Sequence, residues 1–104
     1  MMSKYGLHVK LKAKEGKGNA LASILLEASK LMSTAKGCHL YIVSTDKEDK
    51  GCIWVTEVWN SKEDHSNALK VKGVMELISQ AFPMLEEQPE KGRELDVLGG
   101  AGIL

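Results

Sequence analysis

The chain has 104 residues, of which 43% are hydrophobic and 27% are charged, the usual balance of a soluble globular domain. Basic and acidic residues number 14 each and Arg93 is the only arginine, which argues against a surface that binds nucleic acid or anionic membrane. No apolar run approaches the ~20 residues that span a bilayer, and the segment MMSKYGLHVK lacks the apolar core of a signal peptide. Residues 1–104 are therefore predicted to form one cytoplasmic domain.

The two cysteines are expected to stay reduced, as is usual in the cytoplasm. Cys38 and Cys52 fall at opposite ends of a predicted hairpin, roughly 20 Å apart at ~3.3 Å per residue, which is too far for a disulfide. No second pair of ligands accompanies them at metal-binding spacing, so both are interpreted as small core residues.

The first third of the chain predicts a strand followed by a helix. Residues 5–13 alternate between apolar and polar side chains, the period of a strand with one apolar face. A turn follows at residues 15–18, and Asn19 is the predicted N-cap of a helix that ends at Gly37. The apolar residues of this helix form one continuous stripe: Leu21, Ile24, Leu25, Ala28, Leu31, Met32 and Ala35.

The middle of the chain predicts a hairpin. Residues 38–45 and 52–59 are strands, and the polar residues 46–51 form the loop between them. Both strands are apolar on both faces; Tyr41 and Ile42, for example, point to opposite sides. Such strands belong in a sheet that is covered on both sides.

A second helix is predicted after Ser61, whose hydroxyl caps it, and Gly73 is expected to break or kink it. A second apolar stripe covers residues 74–85, and residues 94–98 predict a short fourth strand. This order predicts a ferredoxin-like α+β fold, a four-stranded antiparallel sheet with two helices on one face. Because the helices cover one face only, a homodimer with its sheets packed face to face, a dimeric α+β barrel, is also predicted.

The chain resembles the antibiotic biosynthesis monooxygenase superfamily, small dimeric α+β barrels that include quinol and anthrone monooxygenases. The resemblance runs through most of the chain and lies in Gly37-Cys38 with Tyr41, residues 54–59 (WVTEVW), Ser61-Lys62-Glu63 with His65, residues 74–85 and the glycine-rich residues 99–102. It implies the fold more strongly than the reaction.

Family members of the quinol and anthrone type use no metal, flavin or haem, so the resemblance implies no cofactor. Their electron-rich substrate reduces dioxygen itself once it has lost a proton, which requires an apolar cavity, a base and a group that stabilises negative charge. A haem-degrading branch uses an Asn, a Trp and a His; Ala68 and Ile78 stand at the positions of the last two, and the first strand contains no asparagine. Haem degradation by that mechanism is not expected.

His65 is the candidate catalytic base. Its helical phase places it with Ala68 and Leu69 against the sheet, and the ordinary pKa of histidine, about 6.5, suits a base at neutral pH. The alternative is a buried histidine bonded to the backbone or to Glu57. His8 or Lys10 is also expected to pair with Glu57 across the sheet, as a structural ion pair.

Aromatic and methionine side chains are candidates for binding a flat substrate. They are Tyr41, Trp54, Trp59, Met75 and Phe82. For each of them ordinary core or dimer interface is the alternative. By strand parity Trp54 and Trp59 lie on opposite faces, so at most one faces a given pocket.

These observations favour a cofactor-independent monooxygenase that oxidises a quinol-like or polyphenolic small molecule. Two alternatives are kept: a dimeric small-molecule-binding protein without chemistry, and an isomerase of the same fold. A cavity too small for a ring would favour the first alternative, and polar groups gathered around a short cavity would favour the second.

Overall fold

The computed structural model describes residues 3–89 and 91–103, and these residues form four strands and three helices. The strands and helices lie where the sequence shows alternating and helical apolar periodicity. The elements are β1 (Lys4–Lys12), α1 (Gly18–Met32), β2 (Cys38–Thr45), β3 (Cys52–Trp59), α2 (Lys62–Ala68), α3 (Val74–Ala81) and β4 (Arg93–Val97). A single 3₁₀ turn, Phe82–Met84, follows α3. The strands form one antiparallel sheet in the order β2-β3-β1-β4, so the fold is the predicted ferredoxin-like α+β arrangement.

The register of the sheet defines its two faces. Val55 on β3 lies opposite Val9 on β1 and Val43 on β2, and these side chains pack with the helices. One residue along, Thr56 lies opposite His8 and Ile42, and this row faces away from the helices. Trp54 and Val58 of β3 share this second face with Ile42, so the two apolar faces predicted for β2 and β3 are present, and helices cover one of them.

The core between the helices and the sheet is apolar. Leu21 on α1 and Ile53 on β3 are fully buried, and Trp59 and Val74 are equally inaccessible next to Met32. Burying an aliphatic side chain of this size contributes about 1.5–3 kcal/mol, so this interface supplies the main favourable term in folding. None of the helices within the described residues is long and apolar enough to cross a membrane.

The helix ends agree with the sequence in two places and differ in two. The predicted end of the first helix at Gly37 is wrong, since α1 ends at Met32 and tighter turns follow, in which the Thr34 N–H donates to the Leu31 carbonyl. Ser61 caps α2, accepting a hydrogen bond from the Asp64 backbone N–H at 3.1 Å, and Gly73 separates α2 from α3 with a φ of +94°. The prediction of an N-cap at Asn19 is wrong, since α1 begins at Gly18 and Lys17 takes the cap position with no side-chain hydrogen bond. Its first turn is held instead by the backbone, through the Leu21 N–H and the Lys17 carbonyl.

Candidate active site

An apolar cavity of about 190 Å³ lies between the helices and the covered face of the sheet. The helices contribute aliphatic side chains to its wall: Ile24, Leu25, Ala28, Met32, Leu69, Val74, Leu77, Ile78 and Ala81. Leu11, Tyr41 and Glu57 from the sheet, His65 from α2, and Phe82, Leu85 and Pro89 complete it. No lysine or arginine is among these described lining residues, so the cavity favours a neutral and largely apolar ligand.

The polar groups of the cavity come from adjacent elements. Glu57 projects to the helix side of β3 together with Val55 and Trp59, because alternate residues of a strand share a face. α2 begins at the Ser61 cap just after this strand and carries His65 back over it. A short connection therefore brings the Glu57 carboxyl and the His65 imidazole together.

Glu57 is the buried acidic group of the described core, with 5% of its surface exposed. The indole N–H of Trp59 donates a hydrogen bond to its Oε1 at 3.0 Å. Burial raises the pKa of Glu57 to about 7, although the hydrogen bond from Trp59 acts in the opposite direction by stabilising the carboxylate. The carboxyl therefore changes charge near neutral pH.

His65 lies beside this carboxyl, with its Nε2 3.6 Å from Glu57 Oε1. Its ring meets Trp59 edge to face at 5.7 Å between centroids and is tilted against Tyr5 at 5.8 Å. Burial lowers the pKa of His65, and the positive charge of Lys62 lowers it further while Glu94 opposes both. The imidazole is therefore neutral at pH 7 and able to accept a proton.

A polar network holds the outer side of the site. The Tyr5 hydroxyl donates a hydrogen bond to Glu94 Oε2 at 2.9 Å, and Lys62 Nζ lies 2.9 Å from the same oxygen. Burial and the bond to Glu94 raise the pKa of Tyr5 to about 12, so its hydroxyl keeps its proton. These contacts fix Tyr5 against the imidazole of His65.

Three of the predicted site residues line the cavity and a fourth supports it. His65, Tyr41 and Phe82 are in the lining; burial raises the pKa of Tyr41, and Phe82 is 51% exposed, which puts it at the mouth. Trp59 is fully buried and donates a hydrogen bond to Glu57. The role of each residue in catalysis or binding stays a prediction.

Trp54 and Met75 lie away from this cavity. Trp54 is on the open face of the sheet, where its ring stacks on His8 with 4.8 Å between centroids and lies 5.6 Å from Lys10 Nζ. Met75 is 55% exposed on the outer side of α3. Trp54 points to the open face because of its position in the alternation of β3, and Met75 points outward because of its position on the turn of α3.

The expected pairing of His8 or Lys10 with Glu57 is wrong. His8 is opposite Thr56, with which it shares a hydrogen bond at 3.1 Å, and Lys10 is opposite Trp54. Both therefore lie on the face of the sheet that Glu57 does not use.

Glu57 is a site residue that is missing from the candidates predicted from the sequence, where it is only a partner for a histidine or for Lys10. The signal was present in residues 52–59: Glu57 shares its parity with Val55 and Trp59, so a carboxylate had to enter the covered face. Acidic residues are almost never fully buried without a partner or a function.

No group of three or more His, Cys, Asp or Glu side chains in residues 3–89 and 91–103 is arranged to hold a metal ion. The cavity offers instead a carboxyl, an imidazole and a phenol in an otherwise apolar lining. Such an arrangement can accept a proton from a small apolar molecule and hold the anion that results.

Fold and site together define a small α+β protein with a ligand cavity between helices and sheet. The family model of the antibiotic biosynthesis monooxygenases matches residues 4–74. The chain belongs to this family.

Solved structures agree with this assignment. A protein from Chloroflexus aurantiacus that bears the family's name is 37% identical, over 97% of this chain and 99% of that one, with a TM-score of 0.86. Proteins of the same name from Nitrosomonas europaea (12% identity, 94% and 93% coverage, TM-score 0.87) and Bordetella bronchiseptica (13%, 93% and 99%, 0.78) show the shared fold alone. No match was found among curated proteins.

Proposed function

We propose that the protein is a cofactor-independent monooxygenase that oxidises a small quinol-like molecule with dioxygen. The observation that carries the proposal is an apolar cavity whose polar side chains are Glu57, His65 and Tyr41. Its largely aliphatic wall suits an aromatic ring, and its polar side chains suit a hydroxyl that must lose a proton. His65 is the base that the sequence predicts, and Glu57 lies next to it.

The cavity volume narrows the substrate to a single aromatic ring. A cavity of ~150 Å³ lined by Leu, Ile and Phe binds benzene, whereas drug-sized ligands occupy ~300 Å³ or more. At about 190 Å³ the cavity accommodates one ring with small substituents and is too small for three fused rings. Single-ring quinols are therefore preferred over anthrones as test substrates.

The proposed reaction needs no external reductant. A hydroquinone and one molecule of dioxygen give a hydroxyquinone and one molecule of water: one oxygen atom enters the ring and the other leaves as water. The ring supplies all four electrons, and deprotonation of its hydroxyl makes it electron-rich enough to react. Holding the ring in an apolar cavity beside Glu57, a carboxyl whose pKa burial raises to about 7, supports this chemistry.

We also propose that the protein works as a homodimer whose open sheet faces meet. Ile42 is 46% exposed and Leu95 47% exposed on this face, next to the buried Val58 and the Trp54 ring. Apolar side chains in adjacent strands of an uncovered sheet are a surface that a second copy can bury. Light scattering at micromolar concentration is expected to give a dimer and Ile42→Glu a smaller species; a folded native monomer would contradict the proposal.

The test of activity is oxygen uptake with a panel of single-ring hydroquinones and with anthrone, against autoxidation without protein. Native protein is expected to exceed autoxidation with single-ring quinols, and His65→Ala is expected to lower the rate, because His65 lines the cavity beside Glu57. Uptake equal to autoxidation with every quinol would refute the monooxygenase and favour the binding protein or the isomerase.

A further inference from the structure

Burying the carboxylate of Glu57 is energetically unfavourable, and its hydrogen bond with Trp59 does not offset that cost. A buried carboxylate is stabilised by hydrogen bonds and opposite charges, yet the described contacts of Glu57 are one indole N–H and a neutral imidazole. A glutamine at this position would accept the same hydrogen bond from Trp59 through its amide oxygen without burying a charge. The hydrogen bond with Trp59 therefore does not by itself require a carboxyl group at this position.

Position and environment point to proton exchange with a bound molecule. Glu57 is among the residues that line the cavity, and a carboxylate has about four acceptor sites, of which Trp59 occupies one. The wall around it is aliphatic, so a ligand hydroxyl placed there finds few competing acceptors.

The titratable and charged groups that face this pair come from every neighbouring element. Tyr5 on β1 and Tyr41 and Cys38 on β2 keep their protons at neutral pH, because burial raises the pKa of each. On the outer side the charges of Lys62 on α2 and Glu94 on β4 neutralise one another in an ion pair. The exchangeable proton is therefore left to Glu57 and His65.

We propose that Glu57 is the catalytic group that takes the proton from the ligand's hydroxyl, and that His65 positions the Glu57 carboxyl. The ligand's O–H bond breaks, its electron pair stays on the ligand oxygen, and the proton forms an O–H bond on Glu57. The net charge of the site stays at minus one throughout. The choice between the two groups follows from geometry: among the described contacts Trp59 and His65 Nε2 both lie at Oε1 of Glu57, which leaves Oε2 for a ligand. Burial acts in the same direction, because it makes Glu57 a stronger base than usual and His65 a weaker one. This inference rests on the proposed function, but it predicts ionisation of a single-ring phenol whether or not oxygen then reacts.

The probe is m-nitrophenol, a single-ring phenol that is mainly un-ionised in free solution at pH 8 and whose ionised form has its own visible absorption. At pH 8 Glu57 is mainly ionised before the probe binds. Binding is then expected to produce a protonated carboxyl, seen by infrared difference spectroscopy, together with the visible spectrum of a bound phenolate. The infrared band is expected to disappear in Glu57→Gln and to remain in His65→Gln and in Glu63→Gln, a matched substitution at an exposed carboxylate.

Three results would overturn the proposal. They are no saturable binding of the probe to native protein, a complex without the carboxyl band, and a band that survives in Glu57→Gln. Signals of an imidazolium formed on binding and lost in His65→Gln would assign the proton to His65 instead.

Oxygen uptake separates this proposal from the proposed function. If Glu57 is the base, Glu57→Gln lowers uptake by ~100-fold or more while His65→Gln lowers it less and Glu63→Gln leaves it unchanged. Quinol turnover at the native rate in Glu57→Gln would refute the role of Glu57 and leave the monooxygenase standing. A carboxyl band without uptake for any quinol would refute the monooxygenase and leave Glu57 as a proton acceptor.

Discussion

Replacing Glu57 by glutamine should change how stability depends on pH. The folded protein raises the pKa of this carboxyl from 4.5 to about 7 because the group is buried. Between these two values the folded state holds a proton that the unfolded state has lost, so raising the pH across this window lowers the free energy of unfolding. At about 1.4 kcal/mol for each tenfold change in proton affinity, ionising Glu57 costs the folded state about 3 kcal/mol.

Glu57→Gln removes this titration and keeps the shape of the side chain and an acceptor for the Trp59 N–H. Its free energy of unfolding, relative to native protein, is therefore expected to rise by about 2–3 kcal/mol between pH 5 and pH 8. Urea denaturation at both pH values, at one protein concentration, measures this difference.

The control is Glu63→Gln, which removes an exposed carboxylate and keeps Glu57, so the loss of stability that ionisation of Glu57 causes should remain in this variant. Parallel curves for native protein and Glu57→Gln would refute the reasoning, because they would mean that Glu57 ionises as easily in the folded state as in the unfolded one.

Three further outcomes are expected. Trp59→Phe removes the hydrogen bond that favours the Glu57 carboxylate, so a carbon-detected titration should find the pKa of Glu57 higher than in native protein; an unchanged or lower value would contradict this. Because burial lowers the pKa of His65, the unfolded state takes up a proton before the folded state does as the pH falls below about 6.5, and native protein loses stability. Urea denaturation at pH 5 and pH 7 should show a smaller loss of stability for His65→Gln. Gly73→Ala should cost about 1–2 kcal/mol, measured by thermal unfolding, since a φ of +94° is unfavourable for alanine; equal melting temperatures would argue against it.

The elements predicted best are those whose signals are local. The strands of the central hairpin have the predicted bounds, residues 38–45 and 52–59, because apolar side chains fill both of their faces and a polar loop separates them. Ser61 and Gly73 mark helix ends through their own hydroxyl and backbone conformation, which depend on few distant contacts. The N-cap at Asn19 failed because the backbone of Lys17 already closes the first turn.

The candidate site was predicted less well because its geometry depends on distant parts of the chain. The inward phase of His65 could be read from its own helix, but its 3.6 Å approach to Glu57 depends on how α2 crosses β3. The register between β1 and β3 places His8 opposite Thr56, one residue before Glu57. Adjacent residues of a strand point to opposite faces, so His8 lies on the face that Glu57 does not use.

By itself, the sequence determined the order of the elements, the two apolar faces of the hairpin and the family resemblance, since these follow from short-range periodicity and motifs. Only the tertiary structure decided which polar groups share the cavity and which aromatic rings stay outside it. It brings Glu57, His65 and Tyr41 to one apolar space and leaves Trp54 on the opposite face. The pKa of Glu57 follows from that enclosure, because the free energy of a buried charge depends on the side chains packed around it and not on its neighbours in sequence.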